Sequence, residues 1–112
     1  MISIIEAFAE IIDSYEIHRY RQYGKAYEFV AVVRFNNESE LYIKDYLFLN
    51  GERKYSFHWQ NKQNQLIRRW DNSPYHKNIK TFPFHLHTAN NIEDSKPITL
   101  KKVLEFITKQ IH

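Results

Sequence analysis

Through the middle of the chain, β-branched and aromatic residues recur in short runs separated by polar residues, a pattern that predicts strands. The runs cover residues 27–35, 40–49, 53–60 and 65–70, and a less regular run at residues 15–23 adds a candidate fifth strand. Asparagine and glycine dominate the joins between them, which are Gly24-Lys25-Ala26, Asn36-Asn37, Asn50-Gly51 and Asn61-Lys62-Gln63-Asn64. Since Asn-Gly readily takes the positive φ values of a type I′ turn, consecutive strands should pair antiparallel in an up-and-down meander.

Alternation within the third run assigns the two faces of the predicted sheet. Side chains of successive strand residues point to opposite faces, so Tyr55, Phe57 and Trp59 share one side. The polar residues on the other side are Lys54, Ser56, His58 and Gln60. We expect the side that carries the aromatic rings to pack against helices.

Both ends of the chain show the three- and four-residue spacing of amphipathic helices. Near the N-terminus the spaced residues are Ile4, Ile5, Phe8, Ile11, Ile12 and Tyr15. Ser3 and Glu6 have the spacing of a capping box, so we predict a helix from residue 4 to about residue 14. Near the C-terminus Thr99 is a predicted cap for a helix with the apolar stripe Leu100, Val103, Leu104, Ile107 and Ile111.

The predicted fold class is therefore α+β: an antiparallel four- or five-stranded meander sheet covered by an N-terminal and a C-terminal helix. With 112 residues, the chain should form a single domain spanning residues 1–112. It contains no cysteine, which excludes disulfides and thiolate metal sites and suits a reducing compartment. Because no apolar run is long enough to span a bilayer, we expect a cytoplasmic protein without a membrane partner.

Candidate chemistry is concentrated in residues 68–87, at the end of the last predicted strand. Proline at positions 74 and 83 disfavours helix, so this segment should be irregular or briefly extended. Three of the chain's six histidines lie in it, His76, His85 and His87. In an extended backbone, His85 and His87 would lie on the same side, where two imidazoles could serve either proton transfer or metal ligation.

Arginines and aromatic rings stand beside these histidines. Arg68 and Arg69 are adjacent in a predicted strand and point to opposite faces, so at most one of them can contact a phosphate at a given site. The other would be solvated or paired with an acidic residue such as Asp71. Trp70 or Tyr75 is expected to stack a base.

Further candidate substrate-binding residues are Asp71 and Asn72, although Asp71-Asn72-Ser73-Pro74 is first of all a turn signal. Arg19 and Arg21 are interleaved with tyrosines in the irregular fifth run. This second basic and aromatic patch either binds substrate or is a solvated face. The net charge of +3 permits phosphate binding without requiring it.

Two other interpretations fit the same residues. The histidines could simply hydrogen-bond the backbone of an otherwise unsatisfied loop. A metal site would need further ligands beside His85 and His87, such as His76, Asp71 or Asp94. The spacing of these residues matches no known metal-binding motif. With only two glycines and no nucleophile elbow, nucleoside-triphosphate chemistry is disfavoured.

Three stretches carry a resemblance to a known family: Tyr55-Ser56-Phe57-His58-Trp59-Gln60, then Leu66-Ile67-Arg68-Arg69-Trp70-Asp71-Asn72-Ser73-Pro74-Tyr75-His76, then Thr81-Phe82-Pro83-Phe84-His85-Leu86-His87. In these stretches, and in order over nearly the whole chain, the sequence resembles the TumE-like family of small prokaryotic toxin–antitoxin proteins. The resemblance implies a toxin that is held in check by a helix-turn-helix antitoxin encoded beside it. Family members commonly have histidine where Tyr75 and Phe84 stand in this chain. The chain therefore has fewer histidines in this segment than its relatives, and this departure weakens the case for a metal site most.

Our leading hypothesis is a toxin that acts on RNA as a metal-independent ribonuclease and needs no cofactor. His85 and His87, with His76 nearby, would transfer protons, and Arg68 or Arg69 would stabilise charge on the phosphate. The alternatives are a non-enzymatic protein that inhibits growth by binding a cellular target, and a metal-dependent nuclease.

Overall fold

A computed structural model of the chain describes residues 1–72, 85–88, 92–94 and 97–111. Its elements, in chain order, are α1 (Ile2–Glu6), β1 (Ile12–Tyr23), β2 (Ala26–Phe35), β3 (Glu40–Leu47), β4 (Arg53–Gln60), β5 (Leu66–Asp71), β6 (His85–Thr88), β7 (Ile92–Asp94) and α2 (Leu100–Ile111). The strands form one sheet whose spatial order follows the chain, and every neighbouring pair is antiparallel. The predicted α+β meander is confirmed, with β6 and β7 extending it beyond the four or five strands expected.

The N-terminal helix is shorter than the apolar spacing predicted. It ends at Glu6, and β1 already begins at Ile12. The prediction of a helix to about residue 14 is wrong because the backbone from Ile12 onwards pairs with β2. Just before this pairing, Asn36 donates from its backbone N–H to the carbonyl of Ile11 at 2.9 Å and from its side-chain amide to that of Glu10 at 2.7 Å. The capping box is also wrong, since Met1 is the N-cap and no side chain caps the helix.

Three hairpin loops share one conformation instead of the type I′ turn expected at Asn50-Gly51. In each, the third loop residue donates its N–H to the carbonyl of the residue before the loop at 2.9 Å and has a positive φ. These third residues are Glu38, Gly51 and Asn64, with φ values of 69°, 87° and 63°. Such a loop is a type I turn followed by one left-handed residue, a common three-residue hairpin connection.

One face of the sheet packs against α2 and forms the core. The predicted cap is confirmed, because the backbone N–H of Lys102 lies 3.3 Å from Oγ1 of Thr99. The apolar stripe of α2 is also confirmed as its buried side, with Leu100, Val103, Leu104 and Ile107 buried. The ring of Phe106 makes edge-to-face contacts with two tryptophans of the sheet. The distances between ring centroids are 6.4 Å to Trp59 and 5.6 Å to Trp70.

A buried ion pair ties the start of α2 to the sheet. Asp45 is 1% exposed and accepts two hydrogen bonds from Arg53, both at 3.0 Å. Arg53 also donates to the carbonyl of Ile98, just before α2, and lies 4.4 Å from the ring centroid of Tyr55. Since a buried carboxylate requires a compensating cation, this pair fixes where the helix approaches the sheet.

The shared loop conformation predicts stability changes of opposite sign at two equivalent positions. Glu38→Gly should raise the free energy of unfolding by up to about 1 kcal/mol, because the left-handed conformation costs a side-chain-bearing residue about 1–2 kcal/mol and the freedom of glycine in the unfolded chain offsets part of that gain. Gly51→Ala should lower it by about 1 kcal/mol, and no heavy atom lies within 4 Å of the added Cβ to add a clash. Urea unfolding checks both values.

High salt should be used in these measurements, because it screens the exposed ion pair of Glu38 with Lys62, whose atoms lie 3.3 Å apart. Unchanged midpoints in both variants would contradict a conformational cost at these positions.

Candidate functional site

Two adjacent rows of side chains cross the sheet on the face opposite α2, which we call the open face. In the first row Tyr42 pairs with His58, and His58 pairs with Arg69. In the second, Lys44 pairs with Ser56, and Ser56 pairs with Asp71. Residues directly opposite in an antiparallel ladder share a face, so each row brings together groups that are far apart in sequence.

The register continues both rows onto β6. The backbone of His87 lies opposite Arg69, and that of His85 lies opposite Asp71. The two histidines that the sequence singled out therefore occupy the next register position in each row. The extended backbone expected for them is confirmed for residues 85–88.

A cavity of about 470 Å³ opens on this face over β3, β4 and β5. It is lined by Tyr42, Lys44, Tyr46, Lys54, Tyr55, Ser56, His58, Arg69, Asp71 and Asn72. Three of these side chains are cationic, and Tyr42 and Tyr46 carry phenol rings on this face, whereas the ring of Tyr55 packs against Phe57 on the α2 side. The cavity therefore combines positive charge with aromatic surface, as a site for a phosphate-bearing ring compound would.

Arg69 and Asp71 form an ion pair within the cavity. They stand two residues apart on β5 and so lie on the same face, and Nε of Arg69 lies 2.9 Å from Oδ2 of Asp71. The Asp71 side chain is 5% exposed, whereas that of Arg69 is 40% exposed. The carboxylate thus holds in place a guanidinium that solvent, or a bound anion, can reach.

His58 has its tautomer set by a short chain of amides. The side-chain nitrogen of Gln60 donates to Oδ1 of Asn64 at 3.0 Å, which turns Oε1 of Gln60 towards Nε2 of His58 at 3.2 Å. An amide oxygen only accepts hydrogen bonds, so Nε2 of His58 carries the proton. Nδ1 is then the basic nitrogen, and it is buried without a hydrogen-bond partner in the described part of the chain.

Burial lowers the pKa of His58 from its ordinary value, and the positive charge of Arg69 lowers it further. The hydrogen bond with Gln60 raises this pKa but is the smallest of the three effects. His58 is consequently neutral at neutral pH, the form in which imidazole accepts a proton. The alternation of polar and aromatic residues along β4 predicted that His58 lies on a polar face. No pattern within β4 indicated that Arg69 would lie beside it.

The adjacent arginines separate as alternation requires, with Arg69 on the open face and Arg68 on the α2 side. The guanidinium carbon of Arg68 lies 4.4 Å from the ring centroid of Phe106 and 5.9 Å from that of Trp70. Trp70 is itself only 4% exposed. The expectation that its ring stacks a base is corrected, because α2 covers the ring.

The side chain of Asn72, at the edge of the cavity, bonds the backbone of β4. Its Oδ1 accepts the backbone N–H of Tyr55 at 2.8 Å, and its Nδ2 donates to the carbonyl of Arg53. The side chain thereby continues the β4–β5 ladder beyond the last strand residue of β5. These contacts occupy both ends of the amide that the sequence assigned to substrate binding.

Other candidate residues fall outside this cavity or outside the described residues. Arg19 and Arg21 are exposed on β1, where they pair with Val30 and Glu28 of β2, and neither lines the cavity. His76 and Tyr75 lie outside the described residues, as do the side chains of His85 and His87. Among the described residues, no three His, Asp or Glu side chains are grouped to hold a metal ion.

The sequence matches a protein-family model described as Toxin TumE over residues 1–111. Neither the curated proteins nor the solved structures contain a significant match to it. Neither described helix has the length and apolarity needed to cross a membrane.

The lowered pKa of His58 predicts how stability depends on pH. The unfolded chain takes up a proton at the ordinary histidine pKa, about 6.5, before the folded protein does, so acidification favours unfolding until pH falls below the folded pKa. His58→Gln should therefore lose less stability than the parent between about pH 7.5 and about pH 5.5, as measured by urea midpoints. His18→Gln, which removes an exposed histidine of β1, is the matched control for the loss of one imidazole. Equal losses in the parent and His58→Gln would contradict the assignment.

Proposed function

The chain belongs to the TumE toxin family, and from that premise we propose that it acts on RNA as a metal-independent ribonuclease whose site is the cavity of the open face. Family membership identifies it as a toxin of a toxin–antitoxin system and implies an antitoxin partner. The action on RNA and the position of the site are our proposal. It rests above all on the register of β5 with β6, which brings His85 and His87 opposite Asp71 and Arg69.

Ribonuclease chemistry without a metal needs three groups. A base removes the proton from the 2′-hydroxyl, and this oxygen attacks the adjacent phosphorus. The 5′-oxygen leaves and takes a proton from an acid, so the products are a 2′,3′-cyclic phosphate and a 5′-hydroxyl. A cation stabilises the negative charge that builds on the phosphate oxygens.

The residues of the two rows can fill these roles. We assign proton transfer to His85 and His87, since their backbones take register positions in adjacent rows and imidazole can act either as base or as acid. Arg69, exposed and held by Asp71, supplies the cation. His58 is neutral and lies on the row of Arg69 and His87, so it adds no positive charge beside that guanidinium.

The partner is proposed to be a helix-turn-helix antitoxin encoded beside the toxin, on the strength of the family resemblance. Inducible expression of this chain with and without the neighbouring gene tests this point. Growth arrest should appear with the chain alone and disappear when the neighbour is co-expressed.

The same cultures separate the proposed activity from its two alternatives. Cellular RNA should be degraded during arrest, and purified protein should cleave RNA equally well with and without a chelator. Arrest with intact RNA would instead indicate a non-enzymatic inhibitor. Loss of cleavage on chelation, restored by a defined ion, would indicate a metal-dependent nuclease.

The adjacent arginines provide a matched pair of variants. Arg69→Gln should lower the rate of RNA cleavage by about 100-fold or more, because it removes the positioned cation while its amide can still donate to Asp71. Arg68→Gln removes the same charge from the neighbouring residue on the α2 side and should leave cleavage within about twofold of the parent. Steady-state cleavage of a fluorogenic RNA measures both rates. If the two substitutions lower the rate equally, Arg69 has no special role.

His85→Ala and His87→Ala should each lower cleavage by about 100-fold or more if their imidazoles transfer protons. His18→Ala, which removes an exposed histidine of β1, should retain the parent rate. Circular dichroism and thermal unfolding confirm that each variant is folded. Folded His85→Ala and His87→Ala proteins that degrade RNA as well as the parent would overturn the proposed roles.

A further inference from the structure

Since α2 covers Trp70, a base bound at the open face needs another aromatic partner. We infer that Tyr42 and Tyr46 of β3 form a stacking platform for single-stranded RNA, with Lys44 between them contacting the phosphate chain. This inference rests on the proposed function, because the strand held here is the strand that would be cleaved beside Arg69. Beyond the proposed function, the platform specifies the class of nucleic acid that binds, the residues that hold the strand and the direction in which the strand lies.

The three residues form a stripe of ring, cation and ring. They alternate along β3 and all line the cavity, while the residues between them, Ile43 and Asp45, are buried on the α2 side. Tyr42 is 40% exposed, and its ring meets that of His58 at 6.2 Å between centroids with an angle of 71° between planes. The contact with His58 steadies the tyrosine ring against the sheet without covering it.

The spacing of the stripe suits an extended nucleotide chain. Residues two apart on a strand are separated by about 6.8 Å, so Tyr42 and Tyr46 stand about 14 Å apart. Successive nucleotides of a stretched single strand advance by a similar step. The platform therefore holds one base on each tyrosine and leaves one nucleotide between them, above Lys44.

The cross-strand register gives the bound strand a direction towards the catalytic groups. Tyr42 lies on the row of His58 and Arg69, whereas Tyr46 lies opposite Lys54, at the far end of the cavity. A base on Tyr42 is thus the one next to the cleaved phosphate. A base on Tyr46 lies farther along the strand, with Lys54 beside it as a second phosphate contact.

Charge and geometry favour single-stranded RNA over duplex. Lys44, Lys54 and Arg69 all line the cavity, and the carboxylate among its lining residues, Asp71, is paired with Arg69. This surplus of positive charge attracts phosphates. Stacking on a phenol ring requires an unpaired base, which a duplex keeps inside its helix.

Binding to RNA that cannot be cleaved tests the platform apart from catalysis. The probe is a labelled short oligoadenylate methylated at every 2′-oxygen, titrated with protein and followed by fluorescence anisotropy. Tyr42→Leu and Tyr46→Leu should each weaken binding by about 5- to 140-fold, the range measured for loss of one stacked base. Tyr42→Phe and Tyr46→Phe should bind like the parent, because they keep the ring and lose only the hydroxyl.

Tyr23→Leu is the matched control. Tyr23 on β1 is 66% exposed and lies outside the cavity, so its loss should leave affinity unchanged. A methylated duplex of the same length should bind more weakly than the single strand and should be insensitive to both leucine substitutions. If the leucine variants bind the single strand as tightly as the parent, or if the duplex binds as tightly as the single strand, the platform is wrong.

Cleavage of unmodified RNA, measured on the same proteins, separates the two proposals. A parent that cleaves RNA, with leucine variants that bind normally, overturns the platform and leaves the proposed function standing. A parent that binds single strands through Tyr42 and Tyr46 but does not cleave them supports the platform and overturns the ribonuclease. Thermal unfolding of the leucine variants shows that any loss of binding is not a loss of fold.

Discussion

Burial of one face of the sheet under α2 determines how the strands align and which side chains stay accessible. Rings and branched side chains from β2 to β5 reach the same side only if neighbouring strands keep one register, because a slip of one residue would turn them to the other side. The fully buried residues of this side include Phe29, Val33, Leu41, Ile43 and Phe57. The three matching hairpin loops hold that register by joining successive strands with the same geometry.

The same constraint decides where the chemistry can lie. Once the apolar side is committed to the core, the polar side chains of these strands must share the opposite face. His58 and Arg69 are far apart in sequence but neighbours in that face, whereas Arg68 and Arg69 are neighbours in sequence and lie on opposite faces. The proposed site thus follows from the way the core is built and from the lack of a described helix over the second face.

Two arginine–aspartate pairs show how burial separates a structural role from a candidate functional one. In the first, Asp45 is almost fully buried and Arg53 uses both carboxylate contacts and the carbonyl of Ile98, so the guanidinium is committed to the fold. In the second, Asp71 is buried while the Arg69 side chain is 40% exposed. A held but accessible guanidinium can stabilise a phosphate, whereas a committed one cannot.

Local pattern alone determined much of this protein. Alternation and turn residues predicted β4 at its observed bounds and the meander order, and the stripe on α2 predicted its buried side, because these features depend on neighbours within one element. The sequence also carried the family resemblance that the match over residues 1–111 confirms.

The remaining features depend on partners that are distant in sequence. Helical spacing at the N-terminus gave way to β1 because pairing with β2 satisfies that backbone, and the ring of Trp70 went to the core because Phe106 lies over it. The choice of Arg69 over Arg68, and the appearance of His58 beside it, required the register across β3, β4 and β5. Side-chain periodicity within a strand shows which residues share a face, but only packing decides which face is covered and which residues of other strands lie beside them.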